Sequence, residues 1–516
     1  MTPARAEAPL SPAQQRLLLL TAAFSSAVGL VLELLLVTQA SYLTGDAALA
    51  TGMVVGTFLA AMGLGAWLSQ GIGVEAEPRS TLLRAFLLVE LALVPLCLLG
   101  PLLLLLIWSV EGPVWLALVV LTLLVGGLGG MELPLLTRLL EGGGPLRTTL
   151  ARVLALDYVG ALVGSLLFPL LLLPSLGLLP TAGVLALMPL LAALALSRAF
   201  PDCRRWWRPI ALAVPLLPLL AVAMVRLGER FEDGLYEDPV ISRQQSRFQR
   251  LVLTRRRDDL RLYLDGNLQF SSLDEYRYHE ALVHPAMALH PAPRRVLLLG
   301  GGDGLALREL LRWPGLERVD LVELDPAMLR LARRQPFLRR LNRDSLADRR
   351  LRVHIGDAFA LVTRLQGRYD VVIADFPDPE TATLARLYST GFYSRLRRRL
   401  APGGLMVTQA SSPFFTPRVM ASIRHTLAAV GFGSRPYSVA VPSFGPWGFV
   451  LAHPRGQRLH PRALPFRGRW IDQGQLEGLF HLPRDLEPPA GQPVRANRLS
   501  RPVLVDYQRQ SRWREG

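Results

Sequence analysis

Lysine is absent from this sequence of 516 residues, so all 57 of its strongly basic side chains are arginines. A formal net charge of +16 raises nucleic acid as a partner, but the arginines are scattered through helices, loops and tail instead of forming a stripe. That pattern points away from nucleic acid and toward an arginine-rich composition with cationic flanks beside apolar segments. Cysteine is nearly absent too. Cys97 lies in an apolar segment and Cys203 in a basic loop, which excludes a disulfide framework and a cysteine metal site. Charge is sparse in the first part of the chain. Before about residue 226 charged residues are isolated, and from Arg226 onward they recur every few positions in the manner of a water-exposed surface. With a mean hydropathy of +0.30, one uniformly solvated core is excluded, and one half is expected to face lipid while the other faces water.

A membrane-spanning helix needs roughly 20 apolar residues. Windows at about 17–39, 48–72, 82–108, 114–137, 153–174, 178–197 and 209–226 supply this, giving a polytopic α-helical membrane domain over residues 1–226 in contact with the lipid bilayer. The third window is long enough to be tilted, or broken near Gly100-Pro101. The first contains Glu33, lacks a small-residue cleavage site and reads as a retained helix, not a signal peptide. Ionisable residues inside such spans are costly. Glu33, Glu90, Glu132 and Asp157 therefore mark either a polar path for a cation or interhelical hydrogen bonds. Gly126-Gly127-x-Gly129-Gly130 and Gly160-x-x-x-Gly164 allow helices to approach closely. Arg16, Arg79, Arg138, Arg147, Arg198, Arg204 and Arg205 flank loops on the side of the N-terminus, which the positive-inside rule makes cytoplasmic. Seven spans would then put the second half outside. Supply of the substrates discussed below argues for a multi-pass protein of the cell (inner) membrane with a cytoplasmic catalytic domain.

The second half opens with a small β-rich domain over residues 227–272. Phe248 to Thr254 and Leu260 to Leu264 read as strands, and Asp265-Gly266 before Asn267 to Phe270 is a hairpin signal. Ser272, with Glu275 three residues on, predicts a capping box for a helix from about Asp274 to His290. Over residues 273–455, apolar runs at Val296–Leu299, Val319–Glu323, Leu351–His354, Val371–Ala374 and Leu405–Gln409 alternate with helical patterns. They predict a doubly wound parallel sheet of the Rossmann-like, class I methyltransferase type. Residues 456–516 are rich in Pro and Arg and read as a docked extension or a partly ordered tail.

The first of these strands runs into Gly300-Gly301-Gly302-Asp303-Gly304. The missing side chains let a ligand reach the backbone, and Glu323, at the end of the next strand, can accept hydrogen bonds from both hydroxyls of a ribose. Leu305 stands where a dinucleotide loop would have its last glycine. Gly300-x-Gly302-x-Gly304 instead fits the loop with which sulfonium-nucleoside enzymes hold the amino-acid portion of their ligand. Asp357 with Ala358, after the third strand, is positioned to meet the adenine.

These residues resemble the spermidine synthases, the polyamine aminopropyltransferases. The pattern appears as Leu264-Asp265-Gly266 with Gln269, Asp274-Glu275-x-x-Tyr278-His279-Glu280, Gly300 to Gly304, Glu323-x-Asp325, Gly356-Asp357-Ala358 and Asp375-x-x-Asp378-Pro379. It covers roughly residues 240–452, and members with an N-terminal membrane region are most similar to the whole chain. The resemblance implies transfer of the aminopropyl group of decarboxylated S-adenosylmethionine, a co-substrate, to putrescine, giving spermidine and methylthioadenosine with no cofactor and no metal. It implies Asp375 as the proton acceptor, Asp378 as an amine-binding carboxylate, Tyr278 and His279 along the polyamine channel, and Gln249 on the nucleoside product. It also implies a homodimer or higher homo-oligomer.

The chemistry agrees. The decarboxylated donor presents an ammonium where a methyl donor presents a carboxylate, and Asp303 supplies the matching anion. A diamine must have one ammonium held and the other deprotonated before it can attack the carbon next to sulfur. His279, His284 and His290 share a helix at spacings poor for metal ligands, two of them being expected at the surface or against the polyamine. The amine half departs from the family pattern. Phe376-Pro377 stands between the two aspartates, Ala410, Ser411 and Ser412 replace an acidic residue after Gln409, and a substrate-binding Tyr is missing near Ser443, although Trp447-Gly448-Phe449 is kept. A methyltransferase on the same fold, which Asp303 disfavours, and a non-catalytic polyamine transporter or sensor are the competing functions.

Overall fold

The computed structural model describes residues 10–44, 47–72, 79–141, 146–234, 236–487 and 493–510. The chain divides into two compact units, Met1–Pro239 and Val240–Gly516.

The first unit is helical because its sequence is almost continuously apolar, with a backbone that satisfies its own hydrogen bonds. It comprises α1 (Pro12–Thr44), α2 (Ala47–Leu68), α3 (Arg79–Ser109), α4 (Val114–Leu140), α5 (Leu146–Leu167), a π-helical turn at Phe168–Leu172 leading into α6 (Leu173–Leu176), α7 (Leu178–Ala199) and α8 (Trp207–Asp233). Among the described residues, seven helical segments are long and apolar enough to cross a membrane. Two expectations change. The third segment is one helix, continuous through Pro95 and Pro101, and Gln39 Nε2 on α1 donates to the Pro101 carbonyl at 2.6 Å. The last helix does not stop near residue 226 but runs to Asp233 and ends at Gly234, because the return of charge at Arg226 brings no helix breaker with it.

Small residues set the packing of this unit. A methyl group added at Gly160 or Gly164 on α5 would collide with the carbonyls of Ala23 and Ala27 on α1, and one at Gly130 on α4 would collide with Met62 on α2. One buried acid links two helices: Ser25 Oγ donates to Glu90 Oε1 at 2.7 Å, joining α1 to α3. Glu33 and Glu132 are buried as well.

The second unit begins with an antiparallel sheet in the order β1 (Val240–Gln245), β2 (Arg250–Arg256), β3 (Asp259–Leu264) and β4 (Asn267–Ser271). At the β3–β4 turn Asp265 and Gly266 have φ of 49° and 83°, the two left-handed residues that a type I′ turn needs. Next comes α9 (Glu275–Leu289). The capping box does not form. Ser272 Oγ accepts from Leu260 N–H at 2.8 Å, the Asp274 carboxylate accepts from Ser443 N–H at 2.6 Å, and Glu275 turns inward to Arg308. Long-range partners have taken the groups that would have capped the helix.

Then follow β5 (Arg295–Gly300), α10 (Leu305–Leu310), β6 (Arg318–Glu323), α11 (Pro326–Arg334), α12 (Pro336–Leu341), β7 (Leu351–Ile355), α13 (Ala358–Leu361), β8 (Tyr369–Asp375), α14 (Ala382–Ala385), α15 (Thr390–Arg399), β9 (Leu400–Gln409), α16 (Pro417–Ala429), β10 (Phe432–Val441) and β11 (Gly445–Pro454). The sheet order is β10-β11-β9-β8-β5-β6-β7. Strands β5 to β9 are parallel, and β10 and β11 form an antiparallel hairpin at one edge, so the sheet is mixed and not wholly parallel. Alternate residues bury on both faces. Val296, Leu298, Val371 and Ile373 enter one apolar cluster, while Leu297, Leu299, Val372 and Ala374 enter the other. That two-sided burial is why these strands read as unbroken apolar runs.

The tail is docked. Backbone N–H groups of Arg469, Trp470 and Ile471 donate to the Glu280 carboxylate at 2.7, 2.9 and 2.8 Å. Two more helices follow, α17 (Gln473–Gly478) and α18 (Val503–Arg509). Residues 488–492 and 511–516 lie outside the described part.

The packing contacts yield a test within the helical unit. Gly160→Ala should destabilise the protein by about 1–3 kcal/mol, the usual cost of overpacking. Gly56→Ala, with nothing within 4 Å of its added methyl, should be neutral. Thermal midpoints in detergent compare the two.

Candidate active site

The order of the strands reverses between β5 and β8, which are parallel hydrogen-bonded neighbours although far apart in sequence. A crevice opens at the carboxyl ends of strands at such a point, and the glycine loop, Glu323, Asp357 and Asp375 all lie there. Gly300, Gly301 and Gly304 have φ of 78°, 74° and 84°, values at which a side chain is strained. A Cβ on Gly302 would come within 2.5 Å of Glu323 Oε2, so the loop and the tip of β6 touch. Two residues with no sequence signal brace this loop: Asn342 Nδ2 donates to the Asp303 carbonyl at 2.8 Å and Ser345 Oγ to the Gly304 carbonyl at 2.7 Å.

Glu323 accepts from Asp325 N–H at 2.9 Å. Burial, together with the negative charges of Asp303 and Asp325, pushes its carboxyl up to about 7. Gln249 Nε2 reaches Asp325 Oδ2 at 3.2 Å, beside Ser246 Oγ at 2.6 Å. The β2 sheet thus meets the β6 tip through Asp325, two positions beyond Glu323 in sequence. Asp357 caps α13 by accepting from Phe359 N–H at 3.0 Å, and pairs with Arg386 at 3.1 Å. Ala358 next to it is buried.

On the other side of the loop, Tyr278 Oη donates to Asp375 Oδ1 at 2.7 Å. Burial raises the Asp375 carboxyl to about 6 even though the His279 charge and the Tyr278 hydrogen bond favour its ionised form. Asp303 is also raised by burial, with His279 acting against it. For His279 itself burial disfavours the cation, but Glu275 Oε2 at 2.8 Å outweighs it and pushes the ring up to about 9. Glu275 in turn takes a bidentate pair of bonds from Arg308, both at 2.9 Å. Tyr278 packs near Phe449 and Trp447, with ring centroids 5.2 and 6.5 Å away. Trp447 Nε1 is buried without a hydrogen-bond partner.

Asp378 is held by three donors: Ser411 Oγ at 2.8 Å and Gln409 Nε2 at 3.1 Å on Oδ1, and Gln508 Nε2 at 2.9 Å on Oδ2. Burial raises its carboxyl against all three. Gln508 belongs to α18, in the tail, where composition offered no site signal. Phe376, between the aspartates, is buried and packs on Tyr388 and Phe392, so the departure at this position serves the core.

His284 and His290 are not surface residues, because both are buried. His284 Nδ1 accepts from Trp313 Nε1 at 3.2 Å, and its Nε2 lies 3.2 Å from Glu309. Glu280, His284 and Glu309 bring ligand atoms within 4.8 Å of one another. A cation already serves that cluster, since Arg312 Nη1 lies 2.7 Å from Glu309 and 3.5 Å from Glu280.

A crevice of this sheet order, walled by a glycine loop and acidic strand tips, belongs to transferases that take a nucleoside-bearing donor. The spermine/spermidine synthase domain matches residues 275–459. The polyamine aminopropyltransferase of Leptospira interrogans is 38% identical over 492 residues, 93% of this chain and 96% of that one. Polyamine aminopropyltransferase 1 of Streptomyces coelicolor is 40% identical over 531 residues, covering 97% and 95%. A crystal structure of spermidine synthase in complex with the transition-state analogue AdoDATO aligns at 27% identity over 47% of this chain and 85% of that one, with a TM-score of 0.44. The chain belongs to the polyamine aminopropyltransferases, and it is an enzyme that transfers an aminopropyl group.

The His279–Glu275 pair gives a stability test. The His279 folded value near 9 lies above the unfolded value of about 6.5, so its contribution is complete below about pH 6.5 and is lost as pH rises through 9. Glu275→Gln should flatten that segment of a thermal-midpoint profile between pH 6.5 and 9.

Proposed function

We propose that the chain moves the aminopropyl group of decarboxylated S-adenosylmethionine onto putrescine, with Asp375 as the proton acceptor. The observation that carries this reading is a set of carboxylates without arginine partners: Asp303, Asp375 and Asp378 form no ion pair with any Arg among the described residues. A cationic donor and a diammonium acceptor complete that charge balance. Glu323 receives the ribose hydroxyls, Asp357 and Ala358 the adenine, and Gln249 the nucleoside from the β2 side. The glycines at 300, 301, 302 and 304 let the donor lie against backbone, and Asp303 holds its primary ammonium. Asp378 and His279 flank the acceptor, whose methylene chain lies along Tyr278 and Trp447.

In the reaction Asp375 takes a proton from one ammonium of the diamine. The freed lone pair attacks the carbon next to the sulfonium. As that carbon–nitrogen bond forms, the carbon–sulfur bond breaks and its electrons return to sulfur, leaving neutral methylthioadenosine. The sulfonium is a good leaving group, so proximity and alignment supply most of the rate. A carboxyl near 6 is well suited to the base, being mostly ionised at neutral pH while keeping proton affinity.

The seven apolar helices support a multi-pass protein in the inner membrane, and supply of both substrates, set against the charge rule, supports a catalytic unit on the cytoplasmic side. A reporter at the C-terminus reads that side. Assembly as a homodimer or higher homo-oligomer is read by light scattering of the solubilised protein.

Release of methylthioadenosine from the decarboxylated donor with a panel of diamines tests the main reading, and no release with any amine would sink it. Asp375→Asn should lower kcat by at least about 100-fold, within the range of general-base contributions, with donor affinity retained. In the unmodified enzyme kcat/KM should fall as pH drops through about 6, the Asp375 value, since the protonated carboxyl cannot accept. Gln508→Ala, which frees one oxygen of Asp378, should raise the KM for the amine about tenfold, the worth of one charge-assisted hydrogen bond. Methylthioadenosine affinity should stay unchanged.

A further inference from the structure

On the second unit a cavity of about 420 Å³ is lined by Arg308, Arg312, Arg340, Arg343, Arg467 and Arg469, with Glu309 as its one acidic wall residue. We propose that it is a binding site for a ligand carrying phosphoryl groups, separate from the aminopropyl-transfer crevice.

The six arginines fall into two sets. Arg308 and Arg312 form the floor and are already paired, Arg308 with Glu275 and Glu309 and Arg312 with Glu309 and Glu280. Arg340, Arg343, Arg467 and Arg469 form the rim, and none of them has a carboxylate within ion-pair distance among the described residues. Four unbalanced guanidinium groups around one concavity repel each other, and an oxyanion relieves that repulsion.

The rim is also organised in advance. Arg340 lies over the ring of Phe337, 5.0 Å from its centroid, and Arg469 over Tyr276 at 3.8 Å. Three backbone bonds to the buried Glu280 pin the turn that begins at Arg469, and Arg312 donates to the Arg467 carbonyl at 2.6 Å. Solvated surface arginines lose side-chain freedom when they bind, whereas stacked and pinned ones have lost part of it already.

The planar fork of each guanidinium matches two oxygens of a phosphate. A ligand that engages four of them needs several oxygens and more than one negative charge, which a pyrophosphoryl group supplies. A phosphodiester lipid headgroup offers the same chemistry with less charge. The cavity also adjoins the catalytic machinery, because Arg308 on its floor holds Glu275, which holds His279.

Isothermal titration of the detergent-solubilised full chain at fixed ionic strength tests the site, with sodium pyrophosphate in one arm and glycerophosphoglycerol, a water-soluble lipid headgroup, in the other. Saturable binding of about one equivalent is expected. Stronger binding of pyrophosphate assigns a free solute, and stronger binding of the headgroup assigns a lipid. Arg343 and Arg467 are exposed, so an Arg343→Ala, Arg467→Ala double variant should fold normally by its thermal midpoint and bind at least tenfold more weakly. An Arg343→Lys, Arg467→Lys variant should recover only part of the affinity. No saturable binding in either arm, or unchanged affinity in the alanine variant, overturns the proposal.

Discussion

A buried guanidinium joins the two halves of the site. Arg308, on the helix that follows the glycine loop, places both of its terminal nitrogens on Glu275 at the start of α9. An ion pair this deep is held by geometry, and removing one partner would strand a charge at a cost of about 3–5 kcal/mol. By fixing the start of α9 against α10, it sets Tyr278 and His279 one turn further along, facing the tip of β8. The Tyr278–Asp375 bond and the charge of His279 near Asp303 both follow from that placement. If α9 rotated by a single residue, both side chains would leave the crevice.

The charge pattern around this pair divides the work of the site. Carboxylates face the crevice, and burial raises Asp303, Glu323, Asp375 and Asp378. Arginines are kept behind α9 and α10, where they compensate Glu275, Glu280 and Glu309 without neutralising the crevice. A substrate bearing a sulfonium and ammonium groups therefore enters a region of unspent negative potential. His279 is a cation near Asp375, and Glu275 keeps it there. The tail adds Gln508 beside Asp378 on one side and binds Glu280 on another, so the last segment of the chain touches both the crevice and the back of α9.

In the helical unit a different constraint rules. Contacts between α1 and α5 and between α2 and α4 run backbone to backbone across glycines, so that close packing holds these apolar helices together. Of the buried acids, Glu90 takes part in this packing by accepting from Ser25 across helices.

Local physics was legible in the sequence. Hydrophobic length predicted seven long helices, strand-length apolar runs located β5 to β9, Asp265-Gly266 specified its turn, and the glycine loop with Glu323 marked the crevice. Each rests on interactions within a few residues, or on burial of both faces of a sheet. Only the tertiary structure decided the rest. Glu275 looked like a capping residue until Arg308, 33 positions away, took its carboxylate. Gln508 meets Asp378 across 130 positions, and the edge hairpin β10–β11 joins the sheet antiparallel. Such partners are chosen by the whole packed chain, because a buried charge or amide bonds to whatever group the fold brings within about 3 Å, and no local pattern records which group that will be.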